Sequence, residues 1–315
     1  MISVVMSIYK TEEKYIRKAI DSILAQTLSD FEFLIMNNGN SSCIKDLVES
    51  YSDERIKLIP ISKVVTLYES REIGIQMSRY NWIALMDADD VSHCVRLESQ
   101  YRYIESYNDI ERLGCVGTWA KYMNEKGDVV GYRKSRPTSI EEYEIMKKKN
   151  EAIIVTDPSS LINKKAFVDV GGYRKEYTPA ADLDLWYRMV EKGYVILSIK
   201  SYLFKYRIHY GADSTNQFMF QRKKTHFANL NMENRRSGKT EVTYDRFCNI
   251  YWSNVNYRLP RMWRNYSKFY YKKAGLLYLN GDISRTIFFL LISFAINPIY
   301  VLKRLNTHVI GRGSL

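Results

Sequence analysis

Three aspartates within four residues, Asp87-Ala88-Asp89-Asp90, close an apolar run that begins at Trp82. Carboxylates packed this closely repel one another unless a cation or hydrogen-bond donors compensate them. All-oxygen ligation suits a hard divalent ion, Mg²⁺ or Mn²⁺, which commonly bridges protein carboxylates to phosphate oxygens. The competing reading is a helix cap, a position that aspartate favours. A second acidic group, Asp182 and Asp184, stands where a helix patterned by Leu185, Met189 and Val190 begins. A carboxylate there can take a proton from a hydroxyl or can simply cap the helix. A third segment, Tyr206-Arg207-Ile208-His209, alternates like a strand and ends on an imidazole that is either a ligand or a structural group.

Something must deliver these side chains to one place. Ile2–Ile8 is a short apolar run with β-branched residues, and Glu13–Gln26 follows with Ile16, Ile20, Ile23 and Leu24 at helical spacing. The β-then-α unit recurs: Phe31–Met36, a polar loop 37–42, a helix near 44–51, Ile56–Ile59, a helix near 69–78, then Trp82–Met86. Continuous apolar strands need both faces covered, and the intervening helices supply that cover through right-handed crossovers. The expected fold is α/β with a mostly parallel sheet flanked by helices. Ligands in such sheets bind beyond the carboxyl ends of the strands, where Asn37-Asn38-Gly39 and the aspartate cluster fall. Further on, Asn124–Asp128 reads as a hairpin turn between 116–123 and 129–132.

At this point the chain resembles the family 2 glycosyltransferases of the GT-A fold, the Rossmann-like architecture of nucleotide-diphospho-sugar transferases. Seven segments follow that family's order and spacing: Val4–Tyr9, Ala19–Thr27, Arg71–Ile75, Ala84–Asp90, Gly171-Gly172-Tyr173, Asp182–Trp186 and Tyr206–His209. The resemblance covers roughly residues 1–215 and leaves 216–315 as a separate C-terminal helical region. It implies an inverting, metal-dependent transfer of a sugar from a nucleotide diphosphate donor to a hydroxyl of a glycan or lipid-linked glycan in polysaccharide biosynthesis. Asp89 and His209 then correspond to the metal contacts, Asp87 to a nucleotide-sugar contact at the ribose, and Asp182 to the catalytic base. Ser7, Tyr9, Arg71 and Ala88 line the donor site, while Asp184, Trp186, Arg207 and Asp157 hold or support the acceptor. A bacterial surface polysaccharide, capsule or O-antigen, is the implied setting.

The chain departs from the family's pattern at three places. Asn37-Asn38 replaces two acidic residues, Ala181 a glutamate, and Asp157 a histidine. A carboxylate only accepts hydrogen bonds, whereas an asparagine accepts and donates, so Asn37 and Asn38 are expected to read the base with an amide, with uridine the base the resemblance favours. Turn building is their alternative role. A GT-A domain that binds nucleotide sugar or glycan without turnover is the rival function. Nucleic-acid binding is a third class, which leaves the carboxylates unexplained.

Charge is unevenly distributed. The chain of 315 residues carries a formal +12, yet residues 222–315 hold 17 Lys+Arg against 4 Asp+Glu while residues 1–221 hold 30 against 31. That segment interleaves tyrosine and tryptophan with basic residues, and Thr286–Ile296 is almost wholly apolar before Asn297-Pro298 breaks it. The run is too short to span a bilayer and fits an interfacial helix on an anionic membrane, or a buried core helix. Four cysteines without C-x-x-C spacing and the lack of a leader-like opening lead to the expectation of a cytoplasmic chain, peripheral on the inner face of the plasma membrane, with no zinc site.

Overall fold

The computed structural model describes residues 1–209, 217–279 and 281–310, the last five of these by backbone only. The chain forms two compact units, Met1–Arg207 and Ile208–Leu315. The boundary expected at residue 215 lies outside the described residues.

The first unit is built on a sheet. Strands β1 (Ile2–Ile8), β2 (Phe31–Asn38), β3 (Ile56–Ile61) and β4 (Trp82–Asp87) run parallel in the order β3-β2-β1-β4. Every residue of β1 and β2 is buried, and both are apolar apart from Ser3 and Ser7 in β1 and Glu32, Asn37 and Asn38 in β2. Helix α1 (Glu13–Leu24) buries Tyr15, Ile16, Ala19, Ile20 and Ile23, a single stripe at helical spacing. After α2 (Ser42–Glu49), helix α3 (Leu67–Met77) opens on a capping box: the Thr66 side chain accepts from the Glu69 N–H, and the Glu69 carboxylate accepts from the Thr66 N–H.

Beyond β4 the sheet also takes in short antiparallel pairings, while its long ladders stay parallel, as expected. Following β5 (Val91–Ser92) and α4 (Arg96–Glu105), β6 (Leu113–Met123) and β7 (Val129–Arg133) form the expected antiparallel hairpin. After α5 (Ile140–Lys148), β8 (Leu161–Asn163) enters antiparallel between β4 and β6. Helices α6 (Lys164–Asp169) and α7 (Ala181–Lys192) lead to β9 (Val195–Arg207), parallel to β6 and antiparallel to β5. With only three residues, β8 is too short to show a period in sequence, and it reverses the sheet's direction.

The register sets up the chemistry. Ser7 pairs with Asp87 and Ile8 with Asn37, so the ends of three neighbouring parallel strands present Ser7, Asn37 and Asp87 at one edge. Helix α3 lies close above that edge because Gly74 lets it: a Cβ there would stand 2.6 Å from Val5 Cγ1 and 3.1 Å from Met36 Sδ.

The second unit is helical: α8 (Phe218–Arg236), α9 (Val255–Leu279), α10 (Ile283–Ile296) and α11 (Pro298–Ile310), with a short helical passage over Tyr244–Arg246 and Phe247–Trp252. Among the described residues no helix is long and apolar enough to cross a membrane.

Gly74→Ala should lower the melting temperature, by the equivalent of about 1–3 kcal/mol of overpacking. Alanine is the better helix former by about 1 kcal/mol, so a stabilised variant in thermal melts would show that α3 does not press on β1.

Candidate functional site

The site begins at the end of β4. Carboxylate oxygens of Asp87, Asp89 and Asp90 all lie within 4.8 Å of one another. Burial pushes the Asp90 carboxyl well above its ordinary range, and its aspartate neighbours add to that; burial also raises Asp87, with Arg71 pulling the other way. One oxygen of Asp90, Oδ2, is buried without a hydrogen-bond partner. Three crowded carboxylates and an orphaned oxygen fit a hard divalent cation, which would offset this mutual repulsion.

Arg207, the last residue of β9, holds the loop. Its backbone N–H donates to Asp90 Oδ1 at 2.7 Å, its Nε to the Asp89 carbonyl at 2.7 Å and its Nη1 to the Asn124 carbonyl at 2.9 Å. The guanidinium also lies 4.2 Å from the Tyr15 ring centre. Arg207 is 2% exposed, so it braces the aspartate loop from behind.

Arg71 is the hub on the opposite side. It projects from α3, is 1% exposed, and donates from Nη2 to Asp87 at 2.5 Å and from Nη1 to Asp157. Burial pushes Asp157 up to about 7 against the pull of this guanidinium. One helical turn before Arg71, Tyr68 donates its hydroxyl to Asp182 Oδ1 at 3.0 Å. Burial holds the Tyr68 phenol well above its usual pKa and raises Asp182. Residues three apart share a helix face, so α3 joins the aspartate cluster and Asp182 into one constellation. Nearby, the Tyr173 hydroxyl, Asp157 Oδ1 and Arg71 Nε are buried without hydrogen-bond partners. Such orphaned groups are the mark of a polar ligand site.

Other residues singled out in the sequence fall differently. Asn37 donates to the Ser41 carbonyl at 2.8 Å and accepts from the Ser41 N–H at 3.0 Å; Asn38 does the same with Val65 at 2.9 and 3.0 Å. Both amides therefore tie down the loops at this edge, the turn-building role. Asp184 is wholly buried, gripped by Arg174 at 2.5 Å and Arg188 at 2.9 Å, so it supports α7 and faces no acceptor. Trp186 is 1% exposed and belongs to the core, the packing role that its place on α7 equally allowed beside an acceptor wall. Ser7 Oγ bonds Ser70 Oγ at 2.7 Å, Ala88 is buried, and Tyr9 is exposed just past β1. His209 lies two residues after Arg207, in the second unit.

Sequence reasoning overlooked Tyr68 and Tyr173. The signal for Tyr68 was its position three residues before Arg71. Tyr173 was named only as part of the matched Gly171-Gly172-Tyr173 segment, where Gly172, at φ +61°, has no room for a Cβ: one there would meet Glu72 Oε1 at 2.6 Å.

Comparison with known proteins agrees with this geometry. A family profile described as "Glycosyl transferase family 2" matches residues 3–171. An uncharacterized glycosyltransferase of Methanocaldococcus jannaschii is 30% identical over 211 residues, 66% of this chain and 71% of its own length. The O-antigen biosynthesis glycosyltransferase WbnJ of Escherichia coli is 33% identical over 214 residues, 66% of this chain and 80% of its own. Among solved structures, residues 1–349 of S. aureus TarS with UDP-GlcNAc superpose with a TM-score of 0.56 at 12% identity, covering 92% of this chain and 90% of that one. The mannosyltransferase PcManGT of Pyrobaculum calidifontis, with GDP-Man and Mn²⁺, gives 0.54 at 12% identity, covering 98% and 79%.

Arg71→Met strips the counter-charge from two enclosed carboxylates and should destabilise the protein by about 3–5 kcal/mol. Adding Asp157→Asn should recover part of that loss, leaving a coupling of about 0.5–3 kcal/mol in denaturant unfolding. Strict additivity would mean that the pair does not act as a unit.

Proposed function

The chain belongs to glycosyl transferase family 2 and has the GT-A fold, and on that premise we propose that it transfers a sugar, with inversion, from a uridine diphosphate donor to a hydroxyl of a glycan or lipid-linked glycan in the assembly of a surface polysaccharide. The observation that carries this reading is the pairing on α3: Arg71 reaches Asp87 of the aspartate cluster while Tyr68 reaches Asp182. A cation-binding carboxylate group and a candidate base thus border one another at the ligand-binding edge of the sheet.

In this reading Asp182 takes the proton of the acceptor hydroxyl as that oxygen bonds to the anomeric carbon, and the electron pair of the breaking bond leaves with the diphosphate. Attack opposite the leaving group inverts the centre in one displacement. Asp89, with His209 as the resemblance implies, would hold the divalent cation, which when bound would supply charge stabilisation to the departing diphosphate, while Asp87 would meet the ribose. Tyr68, kept neutral by burial, donates to Asp182 and fixes its orientation. Arg71 Nη2, 2.5 Å from Asp87 Oδ1, favours the charged carboxylate against burial and fixes its orientation. The remaining N–H and lone pair of Asn37 and Asn38 border the base.

In the second unit, α10 exposes Ile287, Phe288, Leu291 and Phe294, and α11 exposes Ile299 and Leu302. Such a surface, in the region that carries the chain's basic excess, suits an anionic membrane face. Phe288→Ser with Leu291→Ser should lower binding to anionic vesicles at least several-fold with little change in melting temperature. Unchanged vesicle binding would remove the membrane from the proposal.

Asp182→Asn should cut transfer by about 10²–10⁴-fold while metal-dependent nucleotide binding persists. Because burial raises the Asp182 carboxyl, the acid limb of the wild-type rate profile should lie above that of an ordinary carboxylate. Asp89→Asn and His209→Ala should weaken uridine diphosphate far more than uridine. Nucleotide binding with neither transfer nor donor hydrolysis, across a panel of sugars, would instead identify a binding domain.

A further inference from the structure

Helices α8 and α9 of the second unit enclose a cavity of ≈ 290 Å³. Arg222, His226 and Glu233 line it from α8, and Arg261, Arg264 and Lys268 from α9. Steps of three, four and seven residues place each set on one helix face. Four cations therefore meet a single lining carboxylate, that of exposed Glu233. Two of the cation pairs on α9, Arg261 with Arg264 and Arg264 with Lys268, stand at i,i+3 and i,i+4, where like charges destabilise a helix.

The guanidiniums are partly fixed in advance. Arg261 Nη1 donates to the Tyr257 carbonyl at 2.9 Å and stacks 3.6 Å from the Tyr257 ring centre; Arg264 Nε lies 3.3 Å from the Pro260 carbonyl. Each of these bonds uses one of five donors on a planar fork suited to phosphate oxygens. His226 reports the local potential. Burial, then Arg222, Arg261, Arg264 and Lys268, push its pKa down to about 4, and Asn265 Nδ2 sits 3.2 Å from its Nε2 as a donor to the neutral ring. Lys268 is also lowered, by burial and then by Arg222, Arg264 and Arg304.

We propose that this cavity is a binding site for a phosphate or diphosphate group, carried either on a lipid or on a soluble compound. The site is built from two helices, has a donor-rich wall on each, and shares no lining residue with the aspartate cluster. A bound phosphate group neutralises the repulsion along α9 and satisfies fork donors that the fold leaves over.

The test uses the full chain with inorganic pyrophosphate in the presence of a chelator, so that metal-dependent binding at the carboxylates does not contribute. Calorimetry should show binding to wild type and to Asp89→Asn, weakened at least tenfold in Arg261→Gln/Arg264→Gln and falling with added salt. In NMR titrations the His226 pKa should rise when pyrophosphate is added, and in the double variant it should be higher from the start and insensitive to ligand. Should the double variant fail to fold, the wild-type His226 titration decides alone. Retention on phosphatidylcholine vesicles containing phosphatidic acid, reversed by pyrophosphate, identifies a lipid headgroup; binding of pyrophosphate without retention identifies a soluble phosphate compound. An unmoved His226 at saturating pyrophosphate, equal binding by the double variant, or loss of binding in Asp89→Asn alone would each overturn the proposal. A failure of the proposed transferase reaction would touch none of these readings.

Discussion

A guanidinium kept from water needs counter-charges, and carboxylates kept from water need a guanidinium or a cation. Arg71 meets both requirements at once. It stands between Asp87, which ends a central strand, and Asp157, which opens the short helical turn before β8. The two halves of the sheet differ in strand direction on either side of this point, since β8 runs against β4. The ion pair therefore sits where the parallel and mixed halves join, and removing either kind of partner leaves an uncompensated charge inside the protein. The position of α3 follows from the same requirement: only a helix lying as close as Gly74 permits can bring Arg71 to both acids.

Much of this was readable in the chain. Buried parallel strands announce themselves as apolar runs because both faces are covered, and the hairpin around Asn124 announces itself through its turn residues. The aspartate cluster was visible because like charges rarely crowd without cause. What was not legible depended on distance in sequence. Nothing local marks Asp157 as the partner of a residue 86 positions earlier, or Asp184 as the hub of Arg174 and Arg188. Asn37 and Asn38 offered two roles, recognition and turn building, and only their partners at Ser41 and Val65 reveal how much of each amide the fold already uses. Trp186 falls on the buried face of α7 beside Leu185 and Met189, a pattern the sequence did contain.

The two units divide their labour by charge. The sheet unit is nearly neutral and crowds three of its acids, Asp87, Asp89 and Asp90, at the end of β4. The helical unit carries the basic excess, and its α10 and α11 display large apolar side chains to solvent. Within it, hydrogen bonds such as Ser267 Oγ to the Ser293 carbonyl at 3.0 Å lock α9 to α10, so the exposed residues are presented on a fixed frame.

The way Arg207 holds the aspartate loop separates shape from chemistry. It grips the carbonyl of Asp89, a backbone group that every amino acid possesses. Side-chain replacement at 89 can thus change the loop's charge while Arg207 keeps its hold on the backbone. Mutational drift at this one codon would vary the loop's charge while leaving in place a hydrogen bond that shapes it.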